Sequence, residues 1–162
     1  MNHLYGAALA GGLVGTIVMT TMQRAASEFG ITRMDLPFLL GTSVSDRRRR
    51  AKVYGYIAHF ILGLLFALGY AVIFDATGRS GWVIGLFLGA VHATFVATTL
   101  VTVILPIVHS RMGTPETAAD EIALIEPPGF LMLNYGRSTF VVTLFAHMVY
   151  GAIIGWACAN MS

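Results

Sequence analysis

The sequence predicts an all-α, polytopic membrane protein with four transmembrane helices in one bundle, and three observations predict it. Of 162 residues, 56% are hydrophobic and 11% charged, against about 25% charged in an ordinary globular domain. Four apolar segments reach the roughly 20 residues that a bilayer-spanning helix needs. Between the first two stands a dense basic run, Arg47, Arg48, Arg49, Arg50 and Lys52, which reads as a membrane stop rather than a nucleic-acid patch because long apolar stretches flank it.

Taken in order, the spans are expected near 4–22, 53–74, 82–107 and 138–160. They form a single transmembrane domain, 1–162, with long loops at 23–52 and 108–137. The first segment has no Lys or Arg ahead of it, so it lacks the basic start of a secretory signal and is read as a retained helix. The second ends in Asp75-Ala-Thr-Gly-Arg-Ser-Gly81, a compact turn. Pro106 falls near the end of the third, where a helix tolerates it.

Charge orients these spans. Arg24, Arg33, Arg47–Arg50 and Lys52 lie in the first long loop, Arg111 and Arg137 in the second, and only Arg79 on the other side. Basic residues stay in the cytoplasm. Both long loops are therefore expected there, with both termini outside, which is periplasmic if the membrane is a bacterial inner (plasma) membrane. So strong a bias argues against small dual-topology channels.

Small and polar residues recur every fourth position: Ala8, Gly12, Thr16 and Thr20; Gly55, His59 and Gly63; Gly85 and Gly89 with His92 near the same face; Thr139, Thr143, His147, Gly151 and Gly155. Spacing by four keeps them on one stripe. In lipid such stripes are helix–helix contacts, where glycine lets backbones approach. The same faces could dock a second copy or a larger membrane complex. His59, His92 and His147 share these stripes, so their rings should point into the bundle. Met19, Met132 and Met148 read as packing, Cys158 as a small buried hydrophobe, and Tyr54, Tyr56, Tyr70, Tyr150, Trp82 and Trp156 as a set that includes headgroup anchors.

The halves of the chain also align. Gly11-Gly-Leu-Val-Gly15 matches Gly85-Leu-Phe-Leu-Gly89, and Ala58-His-Phe-Ile-Leu-Gly63 shares its Ala-His-x-x-x-Gly pattern with Ala146-His-Met-Val-Tyr-Gly151. A 2+2 parallel repeat would relate the halves by an axis along the membrane normal. His59 and His147 would then be partners, about 10–14 Å inside the cytoplasmic ends of their helices at about 1.5 Å per residue.

An ionisable residue inside a membrane helix is a functional candidate because burying it is costly. The expectation is a ligand centre on His59 and His147, with His92 as a third ligand or a hydrogen-bond partner. Imidazole suits iron, copper and zinc, and facing histidines can ligate a b-type haem, which would give a redox or electron-transfer role. A wider version adds His109, Asp35 and Glu126 as a carboxylate–histidine metal site at the cytoplasmic edge, although the Glu-x-x-His helical signature is absent. Two other classes stay open: a non-catalytic accessory subunit, and a small proton-linked transporter using histidine titration. Cys158 is the only cysteine, which excludes an internal disulfide and a multi-cysteine metal site. No Gly-rich phosphate loop with its lysine occurs, and no nucleophile constellation is recognisable.

Asp35-Leu-Pro-Phe-Leu-Leu-Gly-Thr42, His109-Ser-Arg-Met112, Glu126-Pro-Pro-Gly-Phe130, Asn134-Tyr-Gly136 and His147-x-x-x-Gly151 together form a pattern. It resembles a group of small, uncharacterised four-helix bacterial membrane proteins, over most of the chain. The resemblance implies an inner-membrane location and brings no activity or catalytic residue with it.

Overall fold

The computed structural model describes residues 2–109, 111–112 and 125–161. It is helical, with no strand among the described residues. The elements are α1 (Asn2–Glu28), α2 (Leu36–Thr42), α3 (Arg48–Thr77), α4 (Trp82–Phe95), a π segment (Val96–Ile104), α5 (Leu105–Val108), a tight turn (Phe130–Tyr135) and α6 (Thr139–Asn160). With α4, the π segment and α5 counted as one continuous span, four helices are long and apolar enough to cross a membrane. Their outer faces expose Leu13, Ile17, Ile57, Ile61, Leu65, Phe87, Val91 and Phe145, side chains that a bilayer would cover. The chain is thus a multi-pass membrane protein in contact with lipid.

The bundle is held by three close seams. α6 packs along both α1 and α4, and α3 packs on α1, while α3 and α4 scarcely approach each other. Glycine makes the close seams close. A Cβ on Gly85 would overlap the Gly151 carbonyl, and one on Gly89 the His147 carbonyl. Gly12 lies against Ala67 of α3, and Gly11 and Gly15 lie against Ala157 and Tyr150 of α6. With lipid on the outside, packing at this range supplies the attraction that water would otherwise drive. The α3–α4 boundary is filled by side chains instead: Phe66 of α3 meets His92 of α4 at 4.0 Å between ring centroids and Phe95 at 6.5 Å.

The two long loops hold more structure than the sequence suggests. α1 runs six residues past the expected end, and α3 starts at Arg48, so most of the basic run is its first turn. Between them α2 folds back onto α3. Asp35 caps it, its carboxylate accepting the Phe38 N–H at 3.0 Å, and Pro37 sits in its first turn, where no N–H is required. Its crossing with α3 is backbone on backbone, since a Cβ on Gly55 would land on the Pro37 carbonyl and one on Gly41 on the Ala51 carbonyl. Gly55 therefore serves this short helix and not another span.

The third span loosens into a π segment just before Pro106. Proline has no N–H to give the Thr102 carbonyl four residues back. The Thr102 hydroxyl is shared between the carbonyls of Ala97 and Gly129, tying the segment to the turn below. That turn holds Leu131 and Met132 at φ of 52° and 59°. This is an unfavourable region for both, and Met132 is buried there beneath Val101 and Leu105.

Candidate functional site: a buried imidazole cluster

His59, His92 and His147 come from α3, α4 and α6 and are 4%, 9% and 3% exposed. All three line one cavity of about 30 Å³, together with Met19, Leu36, Phe66, Val96 and Tyr150 among others. The small-residue stripes had placed these rings inside the bundle, and they are inside. The rings in contact are His92 and His147, edge to face with centroids 4.8 Å apart. His59 borders the same cavity from α3.

Hydrogen bonds define the rings further. His147 Nδ1 lies 2.8 Å from the Thr143 carbonyl oxygen. A carbonyl can only accept, so Nδ1 carries the proton and, in the neutral ring, Nε2 keeps its lone pair. Metal-ligating histidines are commonly oriented by this same bond to a carbonyl. His92 Nδ1 is 3.5 Å from the Tyr70 hydroxyl, and Tyr150 donates its own hydroxyl to the Gly63 carbonyl. Nε2 of His59 and Nε2 of His92 are buried with no hydrogen-bond partner among the described residues. Each such atom leaves about 1–3 kcal/mol unrecovered, which a ligand or a water would return.

The cavity tests the expected ligands. About 30 Å³ holds a single ion or one or two waters. A porphyrin does not fit between these rings as they stand. Nor are three His, Cys, Asp or Glu side chains grouped closely enough to hold a metal ion among the described residues. What the arrangement offers is two unpartnered imidazole nitrogens on one small cavity, with a third ring already oriented beside them.

The wider carboxylate–histidine set is not assembled at this cavity. Asp35 caps α2. His109 is 2% exposed and its ring is fully used: Nε2 lies 3.2 Å from the Leu39 carbonyl, to which it donates, and 3.1 Å from the Thr42 hydroxyl. Its Nδ1 accepts the Arg111 N–H at 3.2 Å. His109 is thus a clasp between α2 and the chain after α5; Ser110 of the same motif lies outside the described residues. Glu126 is at the surface, 3.7 Å from Arg33, and its carbonyl accepts the Tyr135 hydroxyl. Burial, with the Glu126 carboxylate second, pushes that phenol up to about 12, and Arg33 pulls the other way.

Sequence reasoning missed the residues that shape the chamber. Tyr70 and Tyr150 are 4% and 0% exposed, core residues and not headgroup anchors. Continuing the α3 stripe by fours from Gly63 reaches Ala67 and Ala71, with Tyr70 and Phe74 beside them, and all four are buried. That signal was readable. Leu36 and Gln23 gave none, because their part depends on where α2 folds. Comparison with protein-family models, curated proteins and solved structures gives no match to this chain.

Proposed function

We propose that the protein is a membrane-embedded binding protein whose site is the imidazole cavity, and that it holds a single metal ion of the iron, copper or zinc kind through His59 and His92, with His147 as the adjoining third ring. One observation carries the reading: two buried imidazoles that line the same ion-sized cavity each have an Nε2 without a hydrogen-bond partner among the described residues. Imidazole nitrogen suits all three metals. A two-ligand site needs only these two rings, whereas a third bond would have to come from His147, whose ring is already held by the Thr143 carbonyl. The same reading puts the basic face in the cytoplasm and both termini on the other side, on the distribution of Arg and Lys, and takes the membrane to be a bacterial inner membrane from the resemblance of the sequence motifs.

Metal analysis of protein purified in mild detergent, with anaerobic titration of zinc(II), copper(I) and iron(II), tests this. The expected result is about one ion per chain, in keeping with an imidazole cavity of about 30 Å³, and loss of that ion in His59→Ala and His92→Ala. His147→Ala should weaken binding without abolishing it. A wild-type protein that stays metal-free in all three titrations would end the reading. If it were then recovered with larger membrane proteins, the bundle would be an accessory subunit.

A further inference from the structure

Two more cavities lie between the imidazole chamber and the basic face, and they share walls. A vestibule of about 120 Å³ is bordered by Gln23, Arg24, Ser27, Lys52, Tyr56 and Leu36. A void of about 10 Å³ follows, bordered by Gln23, Thr32, Met34, Leu36, Thr139 and Thr143. The imidazole chamber comes next, and Leu36 borders it as well. Gln23 spans the first two spaces, and its carboxamide Oε1 is buried without a partner among the described residues. The middle void is near the size of one water and has four polar side chains in its wall, which is what an internal water requires. On α6, Thr139, Thr143 and His147 stand four apart along this same line, and the Thr143 carbonyl already holds the His147 ring.

We infer that water and a small cation reach the chamber from the basic face, through the vestibule and past Gln23, with Leu36 as the plug where the three spaces meet. The inference rests on the proposed ion site for its cation and on the cavities alone for its water. The other ways in are worse. Beyond the chamber, the opposite half of the bundle is filled by Tyr70, Phe74, Ile154 and Cys158, all buried. Toward lipid, Phe66 lies on His92, and a hydrated ion crossing there would be stripped of water with only apolar groups to replace it. The vestibule does not repel a cation outright. Arg24 is bonded to Glu28 at 2.8 Å, and the Asp35 carboxylate borders the same space as Lys52.

Hydroxyl-radical footprinting of the metal-free full chain in lipid nanodiscs, read by mass spectrometry, tests the route because radicals form where water is. Leu36→Ala should raise labelling of His59, His92 and His147 several-fold, and Gln23→Leu should lower it below wild type. Phe66→Ala, which enlarges the chamber and opens its lipid side, should raise it less than Leu36→Ala does. Circular dichroism and thermal unfolding check each fold, and Leu36→Val stands in if Leu36→Ala does not fold. Chamber labelling that ignores residue 36, or that rises as much with Phe66→Ala, overturns the route. Labelling unchanged in Gln23→Leu overturns the part given to Gln23. The rate of zinc uptake should follow the same order. If labelling follows Leu36 while the wild type takes up no metal ion, the water route stands and the ion site falls.

Discussion

Gly89→Ala is the sharpest test of the seam that positions the imidazoles. The added Cβ would meet the His147 carbonyl carbon at 2.8 Å and Met148 Cα at 2.7 Å. Both atoms are backbone in the middle of α6, so neither can swing aside. The two helices must part by several tenths of an ångström, at the height where His92 faces His147. Overpacking of this kind costs about 1–3 kcal/mol. Gly69→Ala is the control. It lies in α3 with nothing within 4 Å of the new Cβ, and it gains the same helix propensity, about 0.5–1 kcal/mol. The difference between the variants therefore isolates the packing. Detergent-titration unfolding followed by circular dichroism should place Gly89→Ala about 1–3 kcal/mol below Gly69→Ala, and metal titration should show weaker binding. Equal stability of the two would refute the argument that the α4–α6 seam is set by backbone contact.

Three further outcomes follow from the basic face. Asp35→Ala should cost α2 its cap, about 0.5–2 kcal/mol, seen as faster amide hydrogen exchange over 36–42, while Asp35→Asn keeps most protection and both keep their metal content. His109→Ala removes the acceptor of the Arg111 N–H and one of two donors to the Leu39 carbonyl, which keeps the Thr42 hydroxyl; about 1–3 kcal/mol for the N–H left unpaired should loosen α2 with the bundle intact by circular dichroism. Tyr135 sits near 12 when folded, against 10.0 for a free phenol. Because the folded value is the higher, its contribution is complete below pH 10 and is lost as pH rises toward 12. The stability difference between wild type and Tyr135→Phe should shrink across that window and stay flat below it.

Hydropathy and charge made the four spans legible, because lipid imposes length and composition on any helix that crosses it. The four-residue stripes likewise put His59, His92 and His147 inside. Their limits are physical. A stripe says which face is buried and not which helix covers it, so Gly55 read as a span contact when it packs on α2. The α2 helix had a usable signature in Asp35 followed by Pro37, hidden among residues that looked like a plain loop. His109 read as a ligand candidate because its two backbone partners, Leu39 and Arg111, are set by the fold. If the halves are duplicates, the close α1–α6 seam should have a counterpart between α4 and α3. That counterpart is wide, and no internal alignment could have shown the difference.

The wide boundary gives the molecule an uneven tolerance for change. Among the spans, the α4–α6 seam is set backbone on backbone, and the α1–α6 and α1–α3 seams bring glycine against Ala157, Tyr150, Ala67 and Thr16, so all three leave little room for a larger residue. The fourth is made of replaceable side chains, chiefly Phe66, so the chamber could be resized from that side alone while the frame around it keeps its shape.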